Sequence, residues 1–529
     1  MGGSAVAGEP NPVGVEPAAA VSRRFEDSSR RVMDHPYLSW IDYAVLGAYL
    51  LGMLGVGYYI LRKVPSFEEF LVAGRSMTTP ILVCTLASTY YGLDVLFGTS
   101  EMSFNNGVVA FFGYSQLSIA VYFFAAIALS HRLRDAKFTS LPEILERHYG
   151  LTAGILGGFA SLFYSLPALA LFGLGRLCEV VFGFDARLGA LLLGGVALLY
   201  TLWGGLWAVA ITDTIQFVLM CVTLAIAIPL LMANIGGFDA VASAIPAGHF
   251  AIFGDMPVWL MLAYAATGIS ILVDPGFYQR IFAAKSARQA RNGMLLSLLI
   301  WFAYDWLVVA GGMLAAAGVN SGTLPAQLHS NDALLTAVVY ALPAGLAGLF
   351  LAGVLATAMS TIDSYSLVAG ANLSYDLYRP LARHRVTDRE LVRLTKWGIV
   401  LSWTLGYSLA YVFDKLMSLW VFQATALTST ILVPIFVCLF WKGKKTPTAC
   451  LLSFGLGLVG VITFYSTIKY FGEPNALYGT YIWSFSLWGS RFEIWQEYSL
   501  FFTLPLSAIG FLIGNCFGRN YVPPERGAA

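Results

Sequence analysis

The stretch AMSTIDSYS, Ala358 to Ser366, follows LPAGLAGLFLAGVLAT and runs on into LVAGANL. Ser360, Thr361, Ser364 and Ser366, together with Asp363, therefore sit inside a long and otherwise apolar segment. On a helix, Thr357, Ser360, Thr361 and Ser364 follow the i, i+3, i+4, i+7 spacing and form one stripe. Hydroxyl oxygens in a dry site can replace part of the water shell of a small hard cation, with unwound carbonyls on a neighbouring helix supplying the rest. A second reading is that each hydroxyl bonds its own i−4 carbonyl or joins two helices. The rest of the chain decides between them.

Of 529 residues, 58% are hydrophobic and only 12% charged, about half the charge of an ordinary soluble domain. Apolar runs near the length of a bilayer crossing recur from residue 38 onward, which predicts an all-α polytopic membrane protein. About thirteen spans are expected. The net charge of +1 gives no field to attract nucleic acid, and the lipid bilayer is the partner that composition implies. The six cysteines lack metal-type spacing and read as small buried hydrophobes. Residues 1–37 are Gly/Ala/Pro-rich and then charged, as in a disordered tail. The expected organisation continues with a first peripheral span at 38–61 and repeats at 78–234 and 256–441. Two further spans at 447–518 and a cytoplasmic tail at 519–529 complete it.

Basic residues test the spans, because cytoplasmic loops are enriched in Lys and Arg. Arg62, Lys63 and Arg75 follow the first span, and Arg132, Arg134, Lys137 and Arg147 the third. Arg280, Lys285, Arg288 and Arg291 follow the seventh, while loops 235–255 and 319–344 hold no Lys or Arg. The alternation predicts a multi-pass protein of the plasma membrane with its N-terminus outside and its C-terminus cytoplasmic. The aromatic-rich segment 470–495 then falls outside.

Two spans are interrupted. The second contains a polar, Gly-containing patch from Ser88 to Asp94, and the seventh has Gly268, Ser270 and then Asp274-Pro275-Gly276. Proline removes a backbone donor, and unwound backbone survives in a membrane only where protein or a cavity covers it. Interruptions five spans apart have opposite orientation, the pattern of inverted-repeat transporters. With two broken helices present, the hydroxyl stripe favours the cation site. Carboxylates within spans are costly and mark pathways or relays: Asp94, Asp213, Asp274, Asp305 and Asp363. Asp363 lies about a hundred degrees off the stripe and is expected to face a neighbouring helix. Asp305 is expected to make a structural hydrogen bond.

FLVAGRSM (Phe70–Met77), SLPEILERHYG (Ser140–Gly150) and YTLWGGLWAVAITDTIQ (Tyr200–Gln216) resemble the sodium/solute symporter family. So do QRIFAAKS (Gln279–Ser286) and LAGVLATAMSTIDSYSLVAGANLSYDLY (Leu351–Tyr378), in the same order. This is the family of proline, pantothenate, sialic acid and sugar symporters. The resemblance implies a LeuT-type 5+5 inverted-repeat core and Na+ as coupling ion, with no other cofactor. It implies a main sodium site from the carbonyls of Ala87, Tyr90 and Thr357 and the hydroxyls of Ser360 and Thr361. A second sodium site would combine Asp213 with Thr357, Ser360 and Thr361.

On the substrate side the resemblance points to Tyr91, Asp94, Asp274 and Gln423, with Phe277 as an inner-gate aromatic. Asp94 stands where sugar carriers of the family have a glutamine. A carboxylate there implies a small organic solute with an amine or other cationic group, or a zwitterion. Capping of unwound backbone amides would equally account for Asp94. A proton-coupled carrier of the same fold is the main alternative. A transporter-like sensor and an intramembrane aspartyl protease are weaker expectations: the residues after Phe517 are too few for the signalling domain that sensors of this family tend to carry, and Gly92-Leu93-Asp94 lacks a GxGD motif.

Overall fold

A computed structural model describes residues 38–60, 66–254, 256–326, 328, 330–412, 416–475, 480–487 and 489–521. The expected tail 1–37, most of the tail 519–529, Arg62, Lys63, Tyr478 and Trp488 lie outside these residues. In chain order the long helices are α1 (Trp40–Ile60), α2 (Thr79–Tyr90), α3 (Leu93–Asn106), α4 (Phe111–Ala128), α5 (Leu151–Tyr164) and α6 (Ala168–Phe182). They continue as α7 (Ala186–Ile235), α8 (Val258–Val273), α9 (Pro275–Ala283), α10 (Ala287–Asn320) and α11 (Leu346–Ala371). The last four are α12 (Asp388–Ala410), α13 (Leu416–Phe440), α14 (Pro447–Phe471) and α15 (Ser499–Phe517).

Among the described residues nine helices are long and apolar enough to cross a bilayer, or eleven when the bent pairs α2–α3 and α8–α9 each serve as one span. Two features separate that number from the expected thirteen. The 50-residue α7 covers both the fifth and the sixth expected spans. A straight helix of that length would run about 75 Å, more than twice the hydrocarbon thickness of about 30 Å. It is broken at Gly205, where φ is 57° and ψ −150°. A Cβ there would stand 2.4 Å from the Phe70 carbonyl oxygen, so glycine meets both the backbone angle and the close approach. The expected tenth span coincides with α12, whose first turns carry Asp388, Arg389, Glu390 and Arg393 and which is not among the nine.

The breaks have local causes. Between α2 and α3 the axis turns by 58° at Tyr91 and Gly92. A Cβ on Gly92 would collide with Asp94 Oδ1 at 2.2 Å. Between α8 and α9 the turn is 41°. There α8 tightens to a 3₁₀ turn at Gly268–Val273, and Pro275 opens α9 behind an N-cap made by Asp274. A third discontinuity, which the sequence reading passed over, separates α5 from α6 at Ser165–Pro167.

The helix α11 lies at the centre, buried along nearly its whole length, and packs on α1, α2, α7 and α12. The AMSTIDSYS stretch is therefore surrounded by protein rather than lipid. Its neighbour α1 holds it at one end: Asp42 Oδ1 accepts from the amides of Gly345 and Gly348, each at 2.7 Å. On the outer helices Leu192, Ile462 and Leu512 are more than half exposed, as a lipid-facing surface requires. The all-α expectation has one exception. In the segment 470–495, expected only as a loop, strands β1 (Glu473–Asn475), β2 (Thr480–Leu487) and β3 (Ser490–Trp495) form an antiparallel sheet in the order β1-β2-β3. Alternate residues stack across it, Phe485 on Phe492 at 5.7 Å between ring centroids.

At the end of the bundle carrying Arg75 and Lys285, the segment before α2 is stitched to the end of α9. Met77 N–H donates to Ala283 O at 3.0 Å, and Lys285 N–H to Met77 O at 2.8 Å. The Arg75 guanidinium donates to Phe138 O at 2.9 Å and Glu68 Oε1 at 2.7 Å. Among the described residues, non-glycine positive φ occurs at Ala73 (47°), Arg75 (54°) and Lys137 (53°), and all three belong to this seam.

Candidate ion and solute site

The stripe on α11 faces the broken end of α2. Ser360 Oγ donates to Ser88 O at 2.9 Å and Thr357 O at 3.1 Å. Thr361 Oγ1 donates to Thr89 O at 3.4 Å and Thr357 O at 3.2 Å. Ser364 Oγ lies 3.0 Å from Thr89 Oγ1. Thr357 Oγ1 bonds its own i−4 carbonyl, Gly353 O, at 3.0 Å, whereas the other three reach across to α2 and join the two helices. The carbonyls they meet are those of Ser88 and Thr89, which lie between the expected Ala87 and Tyr90; Ala87 O accepts the closing turn from Tyr91 N at 3.1 Å. Oxygens from two helices converge here in a dry setting, Ser360 being fully buried and Thr361 nearly so. Such a donor set of hydroxyls and carbonyls is hard and uncharged, which suits a monovalent cation.

Asp213, on α7, comes to the same end of α2 from another face. Thr85 and Thr89, one helical turn apart, both donate to its Oδ2, Thr89 at 3.5 Å. The Arg280 guanidinium stands 3.7 Å away, with both side chains buried. Among the described residues no hydrogen bond joins Asp213 to Thr357, Ser360 or Thr361, the residues expected to share an ion with it. Thr357 bonds its own helix, Ser360 and Thr361 reach α2, and Thr85, Thr89 and Arg280 contact Asp213. Among the described residues, none is a hydrogen-bond partner of its buried Oδ1.

Arg280 departs most from expectation. Counted as a loop residue, it is 1% exposed on α9. It donates to Thr89 Oγ1 at 2.8 Å, to Gly276 O at 3.2 Å and to Ser364 Oγ. Asp363 completes the cluster: Ser364 Oγ donates to its Oδ1 at 3.2 Å and Tyr200 of α7 to its Oδ2 at 2.9 Å. The TD and QR motifs were the available signal, but no spacing rule joins residues so far apart in the chain.

Beside the stripe lies a partly open cavity, lined by Asp94, Tyr90, Thr361 and Gln423 among the expected residues. Asp94 is half-buried and turned to the amides of its own residue and Val95 at the start of α3. Gln423 Nε2 donates to Phe163 O at 3.2 Å and to Tyr164 O and Leu166 O at 3.5 Å, satisfying carbonyls freed by the α5–α6 break. Among the described residues, none is a hydrogen-bond partner of its buried Oε1.

Two residues expected at the solute, Tyr91 and Asp274, are not among those lining the cavity. Tyr91 points the other way, donating to Trp301 O at 2.9 Å and to Asp305, because successive helical residues face different sides. Asp305 also accepts from Ser115 and from Gln116 Nε2, the latter at 2.6 Å. Asp274 is committed on both oxygens, Oδ1 to Phe277 N at 2.8 Å and Oδ2 to the hydroxyls of Tyr164 (3.0 Å) and Tyr365 (2.8 Å). Phe277 is buried with its ring edge-on to Tyr122 at 5.8 Å. In their stead Tyr114, Tyr164, Tyr365 and Trp420 complete the wall. Of these, Tyr365 belongs to the stretch quoted at the outset.

A family model described as "Sodium:solute symporter family" matches residues 70–453. The osmoregulated proline transporter of Bacillus subtilis (strain 168) is 24% identical over 375 residues, covering 67% of this chain and 74% of its own. A high-affinity choline transporter of Caenorhabditis elegans is 24% identical, covering 74% and 70%. The sodium/proline symporter of Staphylococcus aureus (strain JH9) is 23% identical, covering 84% and 89%. In fold the chain is similar to a Na+-coupled sialic acid symporter solved in a substrate-bound outward-open state, with a TM-score of 0.74 at 16% identity over 91% of this chain and 99% of that one. The inverted repeat read from the two broken spans is the LeuT-type arrangement, and the protein is a multi-pass member of the sodium:solute symporter family.

Proposed function

We propose that the protein is a sodium-coupled symporter that imports a small organic solute by alternating access, in the plasma membrane, with its N-terminus outside and its C-terminus in the cytoplasm. The observation that carries this reading is the convergence of Ser360 and Thr361 on the carbonyls of Ser88 and Thr89 at the α2 break. A sodium ion held there ties α2 to α11 and favours one side's opening over the other. The coupling equals the difference in its affinity for the two states. The solute binds beside it, next to Asp94 and Gln423, and Phe277 closes the inner path. The amine-bearing or zwitterionic character expected of the solute accords with relatives named for proline and choline. In Ser360→Ala/Thr361→Ala, the sodium concentration for half-maximal uptake is expected to rise at least about tenfold, a loss of about 1.4 kcal/mol. An unchanged half-saturation would remove the site assignment.

A proton-driven version is the second reading, favoured by Asp213 Oδ1 lying buried without a partner. Reconstituted vesicles separate the two. A sodium gradient at equal pH drives accumulation in the first case, and a pH gradient without sodium drives it in the second.

A further inference from the structure

The solute cavity combines one carboxylate with a concentration of aromatic rings. Tyr90, Tyr114, Tyr164, Tyr365 and Trp420 border it together with Asp94. Tyr164 and Tyr365 have given their hydroxyls to Asp274, so what they offer a solute is ring surface. Ring surface attracts cations through its quadrupole, most strongly where water is excluded. The lining residues include no Lys, Arg or His. The guanidinium of Arg280 lies behind Thr89 and is turned to Asp213, so it offers nothing to an anion in the cavity. Gln423 has spent its donors on backbone carbonyls and keeps an unpartnered buried acceptor, Oε1.

A solute carboxylate would therefore lie beside Asp94 with no cationic side chain lining the cavity to receive it, and only the sodium ion proposed at Thr361 to offset it. A cation with one hydrogen-bond donor meets the charge of Asp94, the unpartnered Oε1 of Gln423 and the rings. From this we infer that the solute is an alkylated ammonium monocation bearing a hydroxyl or N–H donor, and that Asp94 and the Trp420–Tyr114 pair, whose ring centroids lie 6.1 Å apart, select it over zwitterions of the same onium group. The inference rests on the carrier reading above and narrows its substrate. Discrimination comes from repulsion as much as attraction, since Asp94 rejects the carboxylate that a zwitterion adds.

The test uses the full chain, purified and reconstituted, with choline, tetramethylammonium, glycine betaine and proline as probes. Sodium-dependent choline binding at least about tenfold tighter than that of betaine or proline is expected, with tetramethylammonium, which lacks the donor, weaker than choline. Asp94→Asn should weaken choline at least about tenfold and narrow its advantage over betaine, with Asp94→Glu retaining the preference. Trp420→Phe should hold affinity better than Trp420→Leu. Betaine or proline binding as tightly as choline would overturn the proposal, and so would no binding of either onium cation. Stabilisation against heat by sodium alone reads the ion site separately. If it is present in wild type and lost in Ser360→Ala/Thr361→Ala, failure of the cation probes sinks the substrate class and leaves the sodium-coupled carrier standing.

Discussion

Arg280 places a guanidinium among Asp213, Asp363 and the hydroxyls of Thr89 and Ser364, with 1% of its surface exposed. Two carboxylates and one guanidinium share a dry space, and removing one member of such a group is costly because it strands the others. The arrangement is asymmetric. Loss of Asp213 leaves Arg280 linked through Ser364 to Asp363, whereas loss of Arg280 leaves two carboxylates without a cation. Arg280→Gln is accordingly expected to destabilise by about 3 kcal/mol, and Asp213→Asn by less. The double substitution should recover part of the loss. Thermal melting in detergent ranks the three, and an Asp213→Asn protein less stable than Arg280→Gln would contradict the shared-guanidinium picture.

The seam before α2 shows strain at the scale of an element. Ala73, Gly74 and Arg75 are consecutive left-handed residues, and Lys137, whose carbonyl Arg75 contacts, is another. A side chain in that region costs about 1 kcal/mol or more, and here the Arg75 bonds and the Met77–Lys285 bridge hold it. Replacing Ala73 by Gly should relieve about 1 kcal/mol of strain but also removes a fully buried methyl group worth about 0.8 kcal/mol, so a melting temperature close to that of wild type is expected. A loss well beyond that of the methyl group would count against strain in the left-handed turn. The elements were unequally legible in the sequence. The α2 and α8 breaks follow from Gly and Pro, which act locally. The α5–α6 break escaped notice because one proline in an apolar run resembles an ordinary membrane helix, and its freed carbonyls are satisfied by Gln423, far along the chain.

For the whole molecule, the alternating access proposed above would require the Met77–Ala284 bridge to part in each cycle, since it joins the segment before α2 to the end of α9. Bridged strand residues stand about 5 Å apart between Cα atoms, within disulfide reach. Met77→Cys/Ala284→Cys is expected to lose most of its uptake under oxidising conditions and regain it on reduction. Full uptake with the crosslink in place would mean that the seam is static.

The amino-acid sequence alone determined the membrane setting, the two interrupted spans and the hydroxyl stripe, because hydropathy, Gly/Pro punctuation and helical spacing act within one or two turns of chain. Only the tertiary structure decided which oxygens meet. It set Ser88 and Thr89 against the stripe, drew Arg280 from an expected loop into the core, and replaced Tyr91 with a wall of rings. Those choices depend on the rotation of one helix against another, and that rotation is settled by packing among residues hundreds of positions apart.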